Sequence, residues 1–191
     1  MARSVSDDPA VWLGSALPDL EREAGVPIGS LQQWGEPIRV GIAFHRQTDG
    51  LFHDLPEFIA GSRALTRDLL DRGVPRGAAR AVGHAGWELL LDGTLVTDDA
   101  FIADYFAAMR VEVDDPAWRA ALDRRITRGV PDFYAKPEGV AALLRRILSY
   151  RPRLAFGDEH LGAVTDALRV AQPSIVAAAD AVFLATTPAA R

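Results

Sequence analysis

The segment Ile38-Arg-Val-Gly-Ile-Ala-Phe-His-Arg-Gln-Thr-Asp-Gly-Leu-Phe-His-Asp-Leu-Pro-Glu57 contains one helix and the opening of the next. At ~100° per residue, Ile38, Gly41, Ile42 and Phe52 fall within about 60° of His45, while Arg39, Arg46 and Gln47 take another flank. An apolar stripe at that period marks an amphipathic helix. Leu55-Pro56-Glu57 then puts a proline and an acid in a first helical turn, where the missing N–H costs nothing.

The same punctuation recurs outward in both directions. Asp8-Pro9, Glu36-Pro37, Val74-Pro75, Asp115-Pro116 and Lys136-Pro137-Glu138 read as helix starts, and Gly73, Gly93, Gly129 and Gly157 as stops. Helices are expected at 9–23, 37–53, 56–72, 76–92, 98–110, 116–128, 138–150 and 158–186, with Pro173 kinking or restarting the last. Pro18 is expected to break or bend the first. Val111-Glu112-Val113 is too short for a useful strand, and residues 24–36 form the longest connection. The fold class is all-α, in a single domain over 1–191 whose ends, 1–8 and 187–191, are expected to fray.

Composition narrows the chemistry. The 191 residues include no cysteine, which excludes disulfides, zinc ribbons, iron–sulfur clusters and thiol nucleophiles and suits a reducing cytoplasm. A net charge of −5 argues against general nucleic-acid binding. Lys136 is the single lysine among 21 basic residues. Apolar runs look shorter than the ~20 residues a membrane span needs, and the first residues lack the apolar segment of a signal peptide. Neither a membrane nor a nucleic acid is expected as a partner.

Polar residues then stand where apolar ones belong. His45 and Asp49 lie one turn apart within the apolar stripe. In Gly77-Ala-Ala-Arg-Ala-Val-Gly-His-Ala-Gly-Trp-Glu-Leu-Leu-Leu-Asp92 the helix is apolar nearly all round except for Arg80, His84, Glu88 and Asp92. His84 and Glu88 form a second imidazole–carboxylate pair. Asp19, beside Pro18 in the apolar stretch Val11–Leu20, is a third candidate. A buried carboxylate must be paired, protonated or bound to a cation, and two helices carrying His–acid pairs can converge on a metal in a bundle. Each pair alone is also what a hydrogen-bonded surface or core pair looks like, and Asp19 alone could be a cap. His53, just before a turn, and His160, in a solvated helix start, read as ordinary.

The stretches GSALPDL (14–20), RVGIAFHRQTDGLFHDLPEF (39–58), GHAGWELLLDG (83–93) and LLRRILSYRPRL (143–154) together resemble the acyl carrier protein phosphodiesterase family. That family consists of helical, HD-like, metal-dependent phosphodiesterases, and the resemblance extends over roughly residues 14–187. Asp19 matches the family's early acid, His45, Arg46 and Asp49 its His-Arg-x-x-Asp, and Arg151 and Arg153 its Arg-Pro-Arg. Three features depart from it: His84 stands where the family has an Asp, Glu88-Leu89 where it has Asp-His, and residues 1–13 contain no counterpart of the family's early histidine.

The chemistry expected from these residues is hydrolysis of a phosphodiester by metal-activated water. Asp19, His45, Asp49, His84 and Glu88 are the expected ligands. Their mixed nitrogen and oxygen donors suit a divalent transition metal, Mn²⁺ foremost, with Fe²⁺ or Zn²⁺ as alternatives. Asp49 and Arg46 are the expected catalytic residues, and Arg46, Arg80, Arg151 and Arg153 the expected phosphate-binding ones. The resemblance implies release of the 4'-phosphopantetheine arm, with Arg124, Arg125 and Arg128, or Arg145, Arg146, Arg151 and Arg153, as the basic face for acidic carrier protein. Two other readings stay open: hydrolysis of a nucleotide or other small phosphate ester, and a helical binding protein that kept the fold without the chemistry.

Overall fold

The computed structural model describes residues 6–186; of the ends expected to fray, 1–5 and 187–191 lie outside the described residues, while Asp8 is ordered as the cap of α1. The chain is all-α. Its helices are α1 (Pro9–Ala24), α2 (Glu36–His53), α3 (Pro56–Asp71), α4 (Arg76–Leu95), α5 (Asp99–Met109), α6 (Pro116–Arg128), α7 (Pro137–Leu148) and α8 (Leu161–Thr186). Short 3-10 turns occupy Leu31–Gln33, Asp132–Ala135 and Asp158–His160. The prolines open helices as the sequence suggests: Pro9, Pro56, Pro116 and Pro137 each sit in a first turn. Asp8, Asp98 and Asp115 cap theirs, Asp115 Oδ1 accepting from the amides of Ala117 at 2.8 Å and Trp118 at 3.1 Å.

The structure narrows two expectations and changes two others. α1 runs unbroken through Pro18, and α8 runs through Pro173 without restarting. Pro173 and Arg169, four residues before it, are both exposed, so water can take the carbonyl that the missing N–H leaves unpaired. Gly93 does not end α4; the helix continues to Leu95, and Gly93 lets the Asp132–Ala135 turn pack against it. A Cβ there would lie 2.4 Å from the Tyr134 carbonyl oxygen. Finally, the span 158–186 is long and apolar enough, by length and composition, to cross a membrane, contrary to the reading of short apolar runs. Its mean hydropathy comes from alanine and valine spread along the helix rather than from one block.

The chain divides into two compact units. The first comprises residues 6–52, 98–130 and 183–186, and the second 53–97 and 131–182. In the first, α1, α5 and α6 pack with most of α2 around Trp12, Leu13, Leu17, Ile42, Met109, Trp118 and Leu122, all buried. Here α1 and α2 meet through Gly14 and Gly41. In the second, α3 lies along α4, which also packs on α7. Gly86 of α4 faces the side chains of Leu144 and Leu168. Leu69, Val82, Leu90, Val140, Leu144 and Leu168 are among the deepest apolar residues of this unit.

Candidate metal centre

The second unit brings His53, His84 and Glu88 to one point. His53 is the last residue of α2, while His84 and Glu88 are one turn apart on α4. Glu88 Oε1 lies 3.1 Å from His53 Nε2 and 3.1 Å from His84 Nε2. The two ring nitrogens are 3.4 Å apart. Two ligands about 2.1 Å from a common ion stand about 3.0–3.4 Å apart when their angle at the ion is about 90–110°. The observed triangle therefore fits three ligands on one face of an ion, with its remaining positions open.

Local packing holds the rings in that attitude. The imidazoles stack with centroids 5.2 Å apart and planes 17° from parallel. Phe58, in the first turn of α3, sets its edge against both, at 5.3 Å and 86° for His53 and at 5.1 Å and 81° for His84. Behind it Trp87 packs edge-on at 5.4 Å. Gly61 makes room for that indole: a Cβ there would sit 2.2 Å from Trp87 Nε1. The site is open, with His84 half exposed (side chain 51%) and Glu88 less so (31%).

Of the sequence-derived ligands, the structure thus pairs His84 with Glu88 and adds His53, which the sequence reads as ordinary. The legible signal was the stripe itself. His45, Asp49 and His53 follow one another at four-residue intervals along α2, and His53 falls in its last turn. One expectation about this strip is corrected. Arg80, His84 and Asp92 are exposed rather than interior, because the buried face of α4 is formed by Ala78, Ala79, Val82, Gly83, Gly86, Trp87, Leu90 and Leu91.

Asp19, His45 and Asp49 belong to the first unit. His45 is half buried, and its Nδ1 donates to the Ser15 carbonyl at 2.9 Å. A carbonyl can only accept, so in the neutral ring the proton is on Nδ1 and Nε2 carries the lone pair. Asp49 is exposed rather than enclosed, and Arg46 is exposed beside it on the next flank. Burial of the Asp19 carboxyl raises its pKa above the ordinary 3.8, and Asp49 adds to the rise, while His45 and Arg125 oppose it. Desolvation by the surrounding protein prevails even though the residue itself is exposed to solvent.

The sign of that shift sets a pH dependence. The folded state holds the Asp19 proton more tightly, so Asp19 costs stability as pH rises from 3.8 through its folded value, and the cost is complete above it. Asp19→Asn is expected to raise Tm by about 1–3 °C at neutral pH, the size for a partly solvated group. The gain over the parent should vanish below pH 3.8, as measured by thermal melts across pH.

No protein-family model, curated protein or solved structure matches this chain. The family resemblance rests on its motifs.

The arginines divide by role. Arg124, Arg125 and Arg128 converge on Glu23, at 3.8, 3.3 and 2.6 Å, so this basic cluster is tied into an ion-pair network of the first unit. Arg145 pairs with Asp158. Arg151 and Arg153 flank Pro152 at the turn 152–154, as the sequence suggests, and both are exposed with Arg146. Arg80 is exposed on α4 one turn before His84.

Proposed function

We propose that this chain is a metal-dependent phosphohydrolase of HD-like type, a phosphodiesterase similar to those that release the 4'-phosphopantetheine arm of acyl carrier protein. The observation that carries the reading is the triangle of His53 Nε2, His84 Nε2 and Glu88 Oε1, with sides of 3.1, 3.1 and 3.4 Å, on an open edge of α4. A two-imidazole, one-carboxylate donor set suits Mn²⁺, Fe²⁺ or Zn²⁺. Such an ion supplies an acidified water and a Lewis acid for a phosphoryl oxygen.

The chain's own residues supply the rest. Arg80, one turn from His84, is placed to hold a non-bridging phosphate oxygen with its planar fork. Phe58 and Trp87 keep the imidazoles oriented, so little reorganisation is needed when a cation arrives. In the first unit, the resemblance assigns Asp19, His45 and Asp49 to metal ligation, Asp49 and Arg46 to catalysis, and Arg151 and Arg153 of the second unit to phosphate.

One observation weighs against one of the two carrier-protein faces, leaving Arg146, Arg151 and Arg153 as the exposed one. The Arg124–Arg125–Arg128 cluster, a candidate docking face for an acidic protein, is already engaged by Glu23. The test is a substrate panel run on chelator-stripped protein with Mn²⁺, Fe²⁺ or Zn²⁺ restored singly. Metal-dependent turnover of bis-p-nitrophenyl phosphate is the expected result. Loss of the arm from carrier protein decides for that substrate, and turnover of nucleotides or small esters alone for the other. No turnover with any metal, together with no shift of Tm on metal addition, overturns the reading.

A further inference from the structure

A second feature of the second unit lies along the α3–α4 contact, one turn from His84. Arg63, Arg67 and Arg80 line one shallow groove together with Ala60 and Thr66. Arg63 and Arg67 are one turn apart on α3, and Arg80 stands opposite on α4. The helices are held close there because Gly83 has no side chain: a Cβ would lie 2.1 Å from Thr66 Oγ1 and 2.9 Å from the Ser62 carbonyl. The contacts of Gly61 with Trp87 and of Thr66 with Gly83 set an antiparallel register. In that register Arg67 is level with Arg80, and Arg63 is level with His84.

All three arginines are exposed, and among the described residues none makes an ion pair or a side-chain hydrogen bond. Other arginines behave differently: Arg72 closes on Asp68 at 2.9 Å, Arg119 on Asp123 at 2.8 Å, and Arg169 on Glu138 and Asp166. Asp71 stands one turn from Arg67 without closing on it. Like charges at four-residue spacing on a helix repel. In a chain of net charge −5, three uncompensated guanidiniums around one concavity form a local positive field that an anion would relieve. Fifteen N–H donors in three planar forks match the oxygens of a phosphate or diphosphate rather than a lone carboxylate.

We infer that the Arg63–Arg67–Arg80 groove binds a phosphate group of a small, diffusible phosphate ester. The claim adds the ligand class to the hydrolase reading, and rests on that reading only for the fate of the bound ester. Lipid headgroups carry the same chemistry, so the test has to separate the two sources.

The experiment is calorimetric titration of chelator-stripped protein with inorganic pyrophosphate, at low and at physiological ionic strength. Anionic phosphatidylglycerol vesicles serve as the second arm. Pyrophosphate is expected to bind, with affinity falling as salt rises. The double variant Arg63→Gln/Arg67→Gln should lose at least about tenfold in affinity, with Tm unchanged. Arg169→Gln, outside the groove and already paired with Glu138 and Asp166, should bind pyrophosphate as the parent does. Equal binding by parent and double variant, no pyrophosphate binding by the parent, or binding of vesicles alone would each overturn the groove. Loss of pyrophosphate binding in the double variant, with no turnover by any metal-loaded parent, would keep the groove and remove the hydrolase.

Discussion

His53→Ala is expected to weaken binding of Mn²⁺ or Zn²⁺ by at least about a hundredfold, whereas His160→Ala leaves it unchanged. Substitutions of residues that merely orient a ligand already cost about 10–100-fold, and His53 supplies a donor atom itself. Its Nε2 is 3.1 Å from Glu88 Oε1 and 3.4 Å from His84 Nε2, so its loss leaves one imidazole and one carboxylate. His160 sits in the Asp158–His160 turn near Glu159 and serves as the control for generic histidine binding. Glu88→Gln should match His53→Ala, because an amide keeps the shape but gives up the charge. Titration calorimetry on chelator-stripped protein is the measurement. Unchanged affinity in both variants would mean that the three groups are hydrogen-bonded neighbours and nothing more.

The largest effect on stability is expected at the crossing of α1 and α2. At Gly41 an added Cβ would lie 2.0 Å from the Val11 carbonyl oxygen and 2.7 Å from the Ser15 amide nitrogen. At Gly14 it would lie 2.1 Å from the Ile38 carbonyl oxygen. The obstacles are backbone atoms, which no change of rotamer removes, so the helices must part. Parting them would loosen the contacts of Leu13, Leu17, Ile38 and Ile42 in the first unit's core. Gly41→Ala should therefore cost about 3 kcal/mol or more, at the upper end for overpacking, despite alanine's better helix propensity. For a chain of this length that is a fall in Tm of about 6–12 °C. Gly50→Ala, on the same helix with open space around its Cβ position, should be neutral or slightly stabilising. Similar melting temperatures for the two variants would show that the crossing can relax.

The close approach also bears on His45. Its Nδ1 reaches the Ser15 carbonyl, and Ser15 Oγ reaches the carbonyls of Val11 at 3.1 Å and Gly41 at 3.4 Å. Small residues at the crossing thus do more than permit packing: they bring an imidazole of α2 within hydrogen-bond reach of the α1 backbone. That contact sets the tautomer of the neutral ring.

Most of the helical layout could be read from the chain alone. Proline in a first turn and aspartate before it are local signals whose effect does not depend on what packs nearby, and Pro56, Pro116 and Pro137 each mark a helix start. The pairing of His84 with Glu88 was equally legible, since a four-residue spacing puts two side chains together on any helix. Tertiary structure decided three other matters. It brought His53 from the end of α2 to that pair, because the turn before Pro56 and the packing of Phe58 between helices are not properties of any one segment. It showed Arg80 and His84 to be exposed, since which side of α4 is covered depends on where α3 and α7 lie. It also gathered Arg63, Arg67 and Arg80 around one groove through the contact of Gly83 with Thr66. Periodicity along a chain specifies neighbours within a helix; neighbours between helices follow from which surfaces can be buried together, and a single glycine can settle that.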